Sequence, residues 1–79
     1  MAREPKTADV VAEMVANVLK VTVATGDRIA VGDTVVLLES MKMEIPVLTE
    51  HAGVVSAIKI TAGDVVQEGD VLVELTSPR

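Results

Sequence analysis

Four of the five glycines in this 79-residue chain are followed by aspartate, and the pairs recur at a fixed spacing. Gly26-Asp27 and Gly32-Asp33 lie six residues apart, and Gly63-Asp64 and Gly69-Asp70 repeat that interval 37 residues later. The same offset places Val18 on Val55, Val21 on Ile58, Val23 on Ile60 and Ile29 on Val66. It also places Val35 on Leu72, Val36 on Val73 and Leu38 on Leu75. Self-similarity of this kind marks one supersecondary unit used twice, here strand, GDxxxxGD loop, strand. Glycine suits such loops because positive φ carries no steric cost for it, and the following aspartate can accept from nearby backbone amides. A phosphate cradle is the competing reading. Phosphate loops open a helix, none is signalled here, and regularly spaced acidic pairs would repel phosphate.

The segments around the loops read as strand. Sixteen valines dominate the apolar content, and β-branched side chains favour the pleated, half-buried surface of a strand. Leu19, Val21 and Val23 fall on one face with Lys20 and Thr22 on the other, and Ile58 and Ile60 oppose Lys59, which is the period of two. Neither half alone could bury its apolar face. The prediction is therefore an all-β protein in which two duplicated units share one aliphatic core, as a pseudo-two-fold sandwich or flattened barrel. Residues 1–9 are polar and include Pro5, which predicts a flexible leader. The folded domain is expected over residues 10–76, with 77–79 as a tail.

Composition narrows the function. With no cysteine there is no disulfide framework, zinc ribbon or thiol nucleophile. Without Phe, Tyr or Trp and with a net charge of −5, the chain lacks both the stacking platform and the electrostatic footprint of a nucleic-acid binder. Its mean hydropathy is +0.46, yet its longest unbroken apolar run is Val35-Val36-Leu37-Leu38, far short of the roughly 20 residues of a spanning helix. No signal-peptide stretch opens the chain, so it is expected in the cytoplasm. A catalytic triad or metal site would have to use the single histidine, His51, and no nucleophile motif or ligand spacing accompanies it. No catalytic residue and no metal site is therefore assigned.

One segment falls outside the repeat. Glu39-Ser40-Met41-Lys42-Met43-Glu44 joins the halves, with strand patterns at Val35–Glu39 and Glu44–Leu48, so a hairpin is expected between them. Two-residue hairpin loops favour Asn-Gly, Asp-Gly or Gly-X because their central residues need positive φ. Met and Lys occupy this one, and a broken local rule often marks a functional position. Lys42 is then presented at the tip of a rigid ribbon. Its amine is a nucleophile only when deprotonated, and the chain offers no evident base, so Lys42 reads as a substrate for another enzyme. A turn lysine is usually a solvated charge, and Met41 and Met43 could pack on the core as strand ends. The duplication, the hairpin at its midpoint and the Met-Lys-Met sequence together favour the functional reading.

These residues resemble the biotinyl/lipoyl attachment domain family. Ser40-Met41-Lys42-Met43 is similar to its Ala-Met-Lys-Met biotinylation motif, and the GDxxxxGD loops on either side are family features. The resemblance spans roughly residues 10 to 76. It implies a flattened barrel of two four-stranded antiparallel sheets, a barrel-sandwich hybrid. It implies that a biotin protein ligase joins biotin to Lys42 through a biotinyl-adenylate. The chain would then carry activated CO2, as carboxybiotin, from a biotin carboxylase to a carboxyltransferase. Met41 and Met43 would flank the arm, with Ser40, Glu39 and Glu44 around it. Biotin carriers often place a Pro-Met-Pro-Gly segment about 30 residues before the lysine; Glu13-Met14-Val15-Ala16-Asn17 stands here and keeps only the Met. The span from Val23 to Asp27 has no room for the thumb insertion of the bacterial acetyl-CoA carboxylase carrier. The expectation is a small, stand-alone, monomeric carrier without nucleic-acid or membrane partners. The alternatives are a lipoyl carrier, whose lysine usually sits in Asp-Lys-Ala, an unmodified adaptor module, and an enzyme using His51.

Overall fold

A computed structural model describes residues 7–76. The proposed tail at 77–79 and residues 1–6 of the proposed leader lie outside them. Eight strands follow one another: β1 (Thr7–Val11), β2 (Ala16–Val21), β3 (Arg28–Ile29), β4 (Thr34–Ser40), β5 (Met43–Leu48), β6 (Gly53–Ile58), β7 (Val65–Val66) and β8 (Val71–Thr76). Among the described residues there is no helix. Two four-stranded sheets form, in the orders β1-β8-β6-β3 and β5-β4-β2-β7, and every pairing is antiparallel. Exchanging β1–β4 with β5–β8 converts one order into the other. The duplication in the sequence is thus a pseudo-two-fold axis in space, and each sheet draws two strands from each half.

The Gly-Asp pairs make this interleaving possible. In each, the aspartate N–H donates to the carbonyl three residues back (Ala24, Ala30, Thr61 or Gln67) at 2.9–3.0 Å. The aspartate carboxylate in turn accepts from the N–H of that same residue at 2.8–2.9 Å. Glycine at the third position holds φ between +93° and +98°, as a type II turn requires. Each turn then grips the other half. Gly26 N–H donates to the Val55 carbonyl, and Val55 N–H donates to the Asp27 carbonyl, both at 2.8 Å. Gly63 and Asp64 hold Val18 in the same way, also at 2.8 Å. Gly32 and Asp33 clamp Thr49, and Gly69 and Asp70 clamp Ala12, at 2.8–2.9 Å. The clamped residues obey the repeat themselves, since Val55 is Val18 plus 37 and Thr49 is Ala12 plus 37.

The two turns of each loop are six residues apart, and between them the chain is extended long enough to form a two-residue strand. Arg28–Ile29 pairs with β6 and Val65–Val66 with β2, so each loop also places one apolar side chain, Ile29 or Val66, in the core. Val18, Val35, Val36, Leu38, Val55, Leu72, Val73 and Leu75 complete most of that core, with Val21, Val23, Ile58 and Ile60 packed on its margin.

Two expectations change. Leu19 does not share a face with Val21 and Val23; it is 37% exposed. The β2–β4 register jumps from Val18↔Leu38 to Lys20↔Leu37, so Leu19 is the extra residue of a β-bulge. One added residue reverses the inward–outward parity, which lets Val18 and Val21 both turn towards the core. The same bulge recurs at Ser56 in β6, 37 residues on, where the hydroxyl donates to the Glu74 carbonyl at 3.1 Å. At the start of the chain, residues 7–9 are not part of a leader. Thr7, Ala8 and Asp9 pair with Thr76, Leu75 and Glu74, because β8 would otherwise present an open edge at those positions.

The fifth glycine has a different task. A Cβ on Gly53 would lie 2.7 Å from the Thr76 carbonyl oxygen, where a neighbouring strand passes. Gly53→Ala should therefore cost about 1–3 kcal/mol through overpacking against backbone, measured by urea denaturation. Gly26→Ala meets no atom within 4 Å, and its cost of about 1–2 kcal/mol comes from positive φ alone. Gly26→Asn, which tolerates that conformation, should recover much of the Gly26→Ala loss, whereas Gly53→Asn should be worse than Gly53→Ala. Equal behaviour of the two asparagine variants would contradict this division of roles.

Candidate functional site

β4 and β5 form the ribbon that carries the site. Their register runs Leu38↔Ile45, Glu39↔Glu44 and Ser40↔Met43, which leaves Met41 and Lys42 as a two-residue loop. Leu38 is buried and Ile45 packs against the core, so the ribbon is anchored one pair below the acidic residues. On one side it is braced by β2, where Asn17 lies opposite Glu39. Glu39 and Ser40 are half-buried, and Met41, Lys42, Met43 and Glu44 are all exposed.

The loop has the geometry that its length demands. Met41 has φ 54° and Lys42 φ 64°; among the described residues they are the two non-glycines with positive φ. Such turns match the twist of the flanking strands, but the left-handed conformation costs an L-residue with a Cβ roughly 1–2 kcal/mol. Glu39 and Glu44 add a second conflict, since like charges directly opposite each other oppose pairing. The hairpin tip therefore holds two backbone outliers and an acidic pair where Asn-Gly and an opposite-charge pair would be more stable.

From Met41 to Glu44 the residues are exposed. Met41 is 87% and Met43 60% exposed, so neither packs on the core as a strand end. The one ion pair among the described residues joins Lys59 to Glu74 at 3.7 Å; neither Glu39 nor Glu44 is paired with Lys42. Lys42 thus stands at the tip with its amine open and a thioether on each side. All six residues singled out in the sequence, Glu39 to Glu44, are brought together.

His51 is placed elsewhere, in the exposed bend after β5. Its backbone is what the fold uses. His51 N–H donates to Thr49 Oγ1 at 3.0 Å, and the Thr49 hydroxyl donates to the His51 carbonyl at 2.7 Å. Thr49, 2% exposed, is a structural residue that the sequence does not announce, because a threonine at a strand end looks like any other β-branched position. Among the described residues no group of His, Cys, Asp or Glu is arranged to hold a metal. A cleft of about 210 Å³ lies between the edge strands β1 and β5, floored by Val10, Leu38 and Ile45. Lys42 is not in its lining, and its volume falls below the roughly 300 Å³ at which small-molecule pockets begin.

The geometry at the hairpin tip is that of a ribbon presenting the Lys42 amine to solvent. The family described as "Biotin-requiring enzyme", the biotin/lipoyl attachment domains, matches residues 3–75. The chain belongs to this family. A biotinylated protein TB7.3 homolog of Mycobacterium leprae is 59% identical over 64 residues, which is 81% of this chain and 90% of that protein. A biotin/lipoyl attachment protein of Bacillus subtilis is 49% identical over 65 residues, 82% of this chain and 89% of that one. Among solved structures, a single-chain, multi-domain long-chain acyl-CoA carboxylase superposes with a TM-score of 0.85 at 27% identity. The match covers 98% of this chain and 8% of that carboxylase. The family description and the name of the Mycobacterium leprae relative both refer to biotin. The hairpin suits a pendant group, since no described side chain covers its tip and no enclosed pocket has to form around it.

Because the tip is conformationally strained, Met41→Gly should raise stability by about 1 kcal/mol, the left-handed cost less the entropy of an added glycine. In a domain of this size that corresponds to a melting temperature higher by about 4–8 °C. A lower melting temperature would show that the loop carries no such strain.

Proposed function

We propose that Lys42 is the biotin attachment residue and that the protein is a carrier, modified by a biotin protein ligase and serving a biotin-dependent carboxylase. The observation that carries this reading is the open amine of Lys42 at positive φ, between two exposed methionines at the junction of the repeats. The solved carboxylase with the same fold, the biotin carboxyl carrier protein of Streptococcus mutans, 39% identical over 64 residues, and the relative named as biotinylated support it.

In the modification, Lys42 Nζ gives up a proton and attacks the carboxyl carbon of the biotinyl-adenylate. An amide bond forms, and the bond to AMP breaks. The ligase must supply the base, since no described side chain of this protein is hydrogen-bonded or ion-paired to the amine. Biotin then contributes a ring nitrogen able to accept and release CO2, and the protein contributes reach and orientation. The anchoring of β4 and β5 below Glu39 and Glu44 keeps the tip from folding back onto the barrel. Entry of the tip into a partner's active site needs a narrow, projecting ribbon, and a two-residue loop gives the narrowest possible end. The carboxylase and carboxyltransferase would each receive this tip in turn.

Incubation with ATP, biotin and a biotin ligase should add one biotinyl group per chain, read by intact mass and a streptavidin blot. Lys42→Arg should abolish the adduct while leaving the β-sheet circular dichroism unchanged. An adduct at Lys20 or Lys59, or no adduct, would refute the assignment, and a lipoyl increment on protein isolated from its host would favour the lipoyl carrier.

A further inference from the structure

The side chains that flank Lys42 are also the most oxidisable groups that the structure describes. The chain has no cysteine, tryptophan or tyrosine, so methionine sulfur is the group that mild peroxide reaches first. Exposure ranks the described methionines clearly. Met41 is 87% exposed, Met43 60% and Met14 38%, and the two highest values fall on either side of the one lysine presented for modification. Neither side chain supports the core, so sulfur chemistry there is uncoupled from folding.

We infer that Met41 and Met43 form a peroxide-sensitive modification site, at which oxidation to the sulfoxide closes the hairpin to the enzyme that modifies Lys42. This inference rests on the attachment role assigned to Lys42. In the step, a thioether sulfur attacks one oxygen of hydrogen peroxide. The S–O bond forms as the O–O bond breaks, sulfur loses two electrons, and the peroxide is reduced to water. The product replaces an apolar, polarisable side chain with a polar and chiral one. Any enzyme that seats Lys42 must also cover its two neighbours, because a two-residue loop cannot deliver the amine without them. A methionine that packs into an apolar recess becomes, as the sulfoxide, an oxygen buried without a partner. The left-handed backbone at Met41 and the pairing of Met43 with Ser40 set the direction in which each side chain leaves the ribbon. Sulfoxides are reversible by methionine sulfoxide reductases, one enzyme per epimer, so the site can act as a switch.

The test uses the whole unmodified protein treated with dilute hydrogen peroxide. Peptide mass mapping should show Met41 oxidised first, Met43 next and Met14 more slowly, with an unchanged circular dichroism spectrum. Protein oxidised at both hairpin positions should be biotinylated with a kcat/KM lowered about tenfold, the scale set by one polar group buried without a hydrogen bond. Treatment with both classes of methionine sulfoxide reductase should restore the rate. A Met41→Leu, Met43→Leu variant, whatever its own rate, should show the same rate before and after peroxide. Oxidation of Met14 ahead of both hairpin methionines, or equal labelling of oxidised and reduced protein, overturns the inference. A reduced protein that takes up no biotin removes the attachment role itself and this inference with it, an outcome told apart by the untreated control.

Discussion

At each of four turns, a glycine N–H and an aspartate carbonyl lie side by side and grip the backbone of a single residue in the opposite half of the chain. The grip requires positive φ at the glycine, the aspartate carboxylate to close the turn from behind, and an extended segment in the right place to be held. Remove one and an N–H and a C=O of the clamped residue lose their partners near the core, at Ala12, Val18, Thr49 or Val55. Because Val18 and Val55 are themselves core residues, the clamps fix core registry as well as topology. Four strand pairings, β1–β8, β2–β7, β3–β6 and β4–β5, already join the halves, and the clamps add fixed points that hold each loop against the half it crosses.

This organisation explains why the β4–β5 hairpin can afford a poor local sequence. The clamps, the bulges and the core all repeat at the same offset, and the hairpin between β4 and β5 is the one junction the repeat leaves undetermined. Its root is secured by Leu38 and Ile45, while its tip is relieved of any role in stability. Left-handed Met41 and Lys42 and the facing Glu39 and Glu44 are tolerated because nothing else leans on them. The same freedom from packing leaves the lysine amine open and both thioethers in water.

Much of this was legible in the sequence, for identifiable reasons. The Gly-Asp pairs disclosed the turns because few residues accept that conformation, and the offset of 37 named core positions that the structure confirms pair by pair. The hairpin loop was legible from a violation, since Met-Lys stood where positive φ was needed. Leu19 was not, because a bulge changes parity without changing composition. Thr7 to Asp9 look like a polar leader until β8 is seen to need a partner. The two-residue strands inside the loops leave too short a pattern to read, and Thr49 owes its burial to a clamp from Gly32 and Asp33 that no local sequence encodes.

The pairing of β1 with β8 carries a consequence for how the molecule comes into being. β1 is made well before β8, its partner, and neither sheet can be completed from one half. Such long-range closure is slow compared with local pairing. Until β8 emerges, the valine-bearing strands β1 and β6 lack the strand that lies between them, and their open edges invite pairing with neighbouring chains. Brevity is the remedy that this architecture permits: in a chain this short, the wait between the first strand and its partner is a matter of seconds at ordinary synthesis rates.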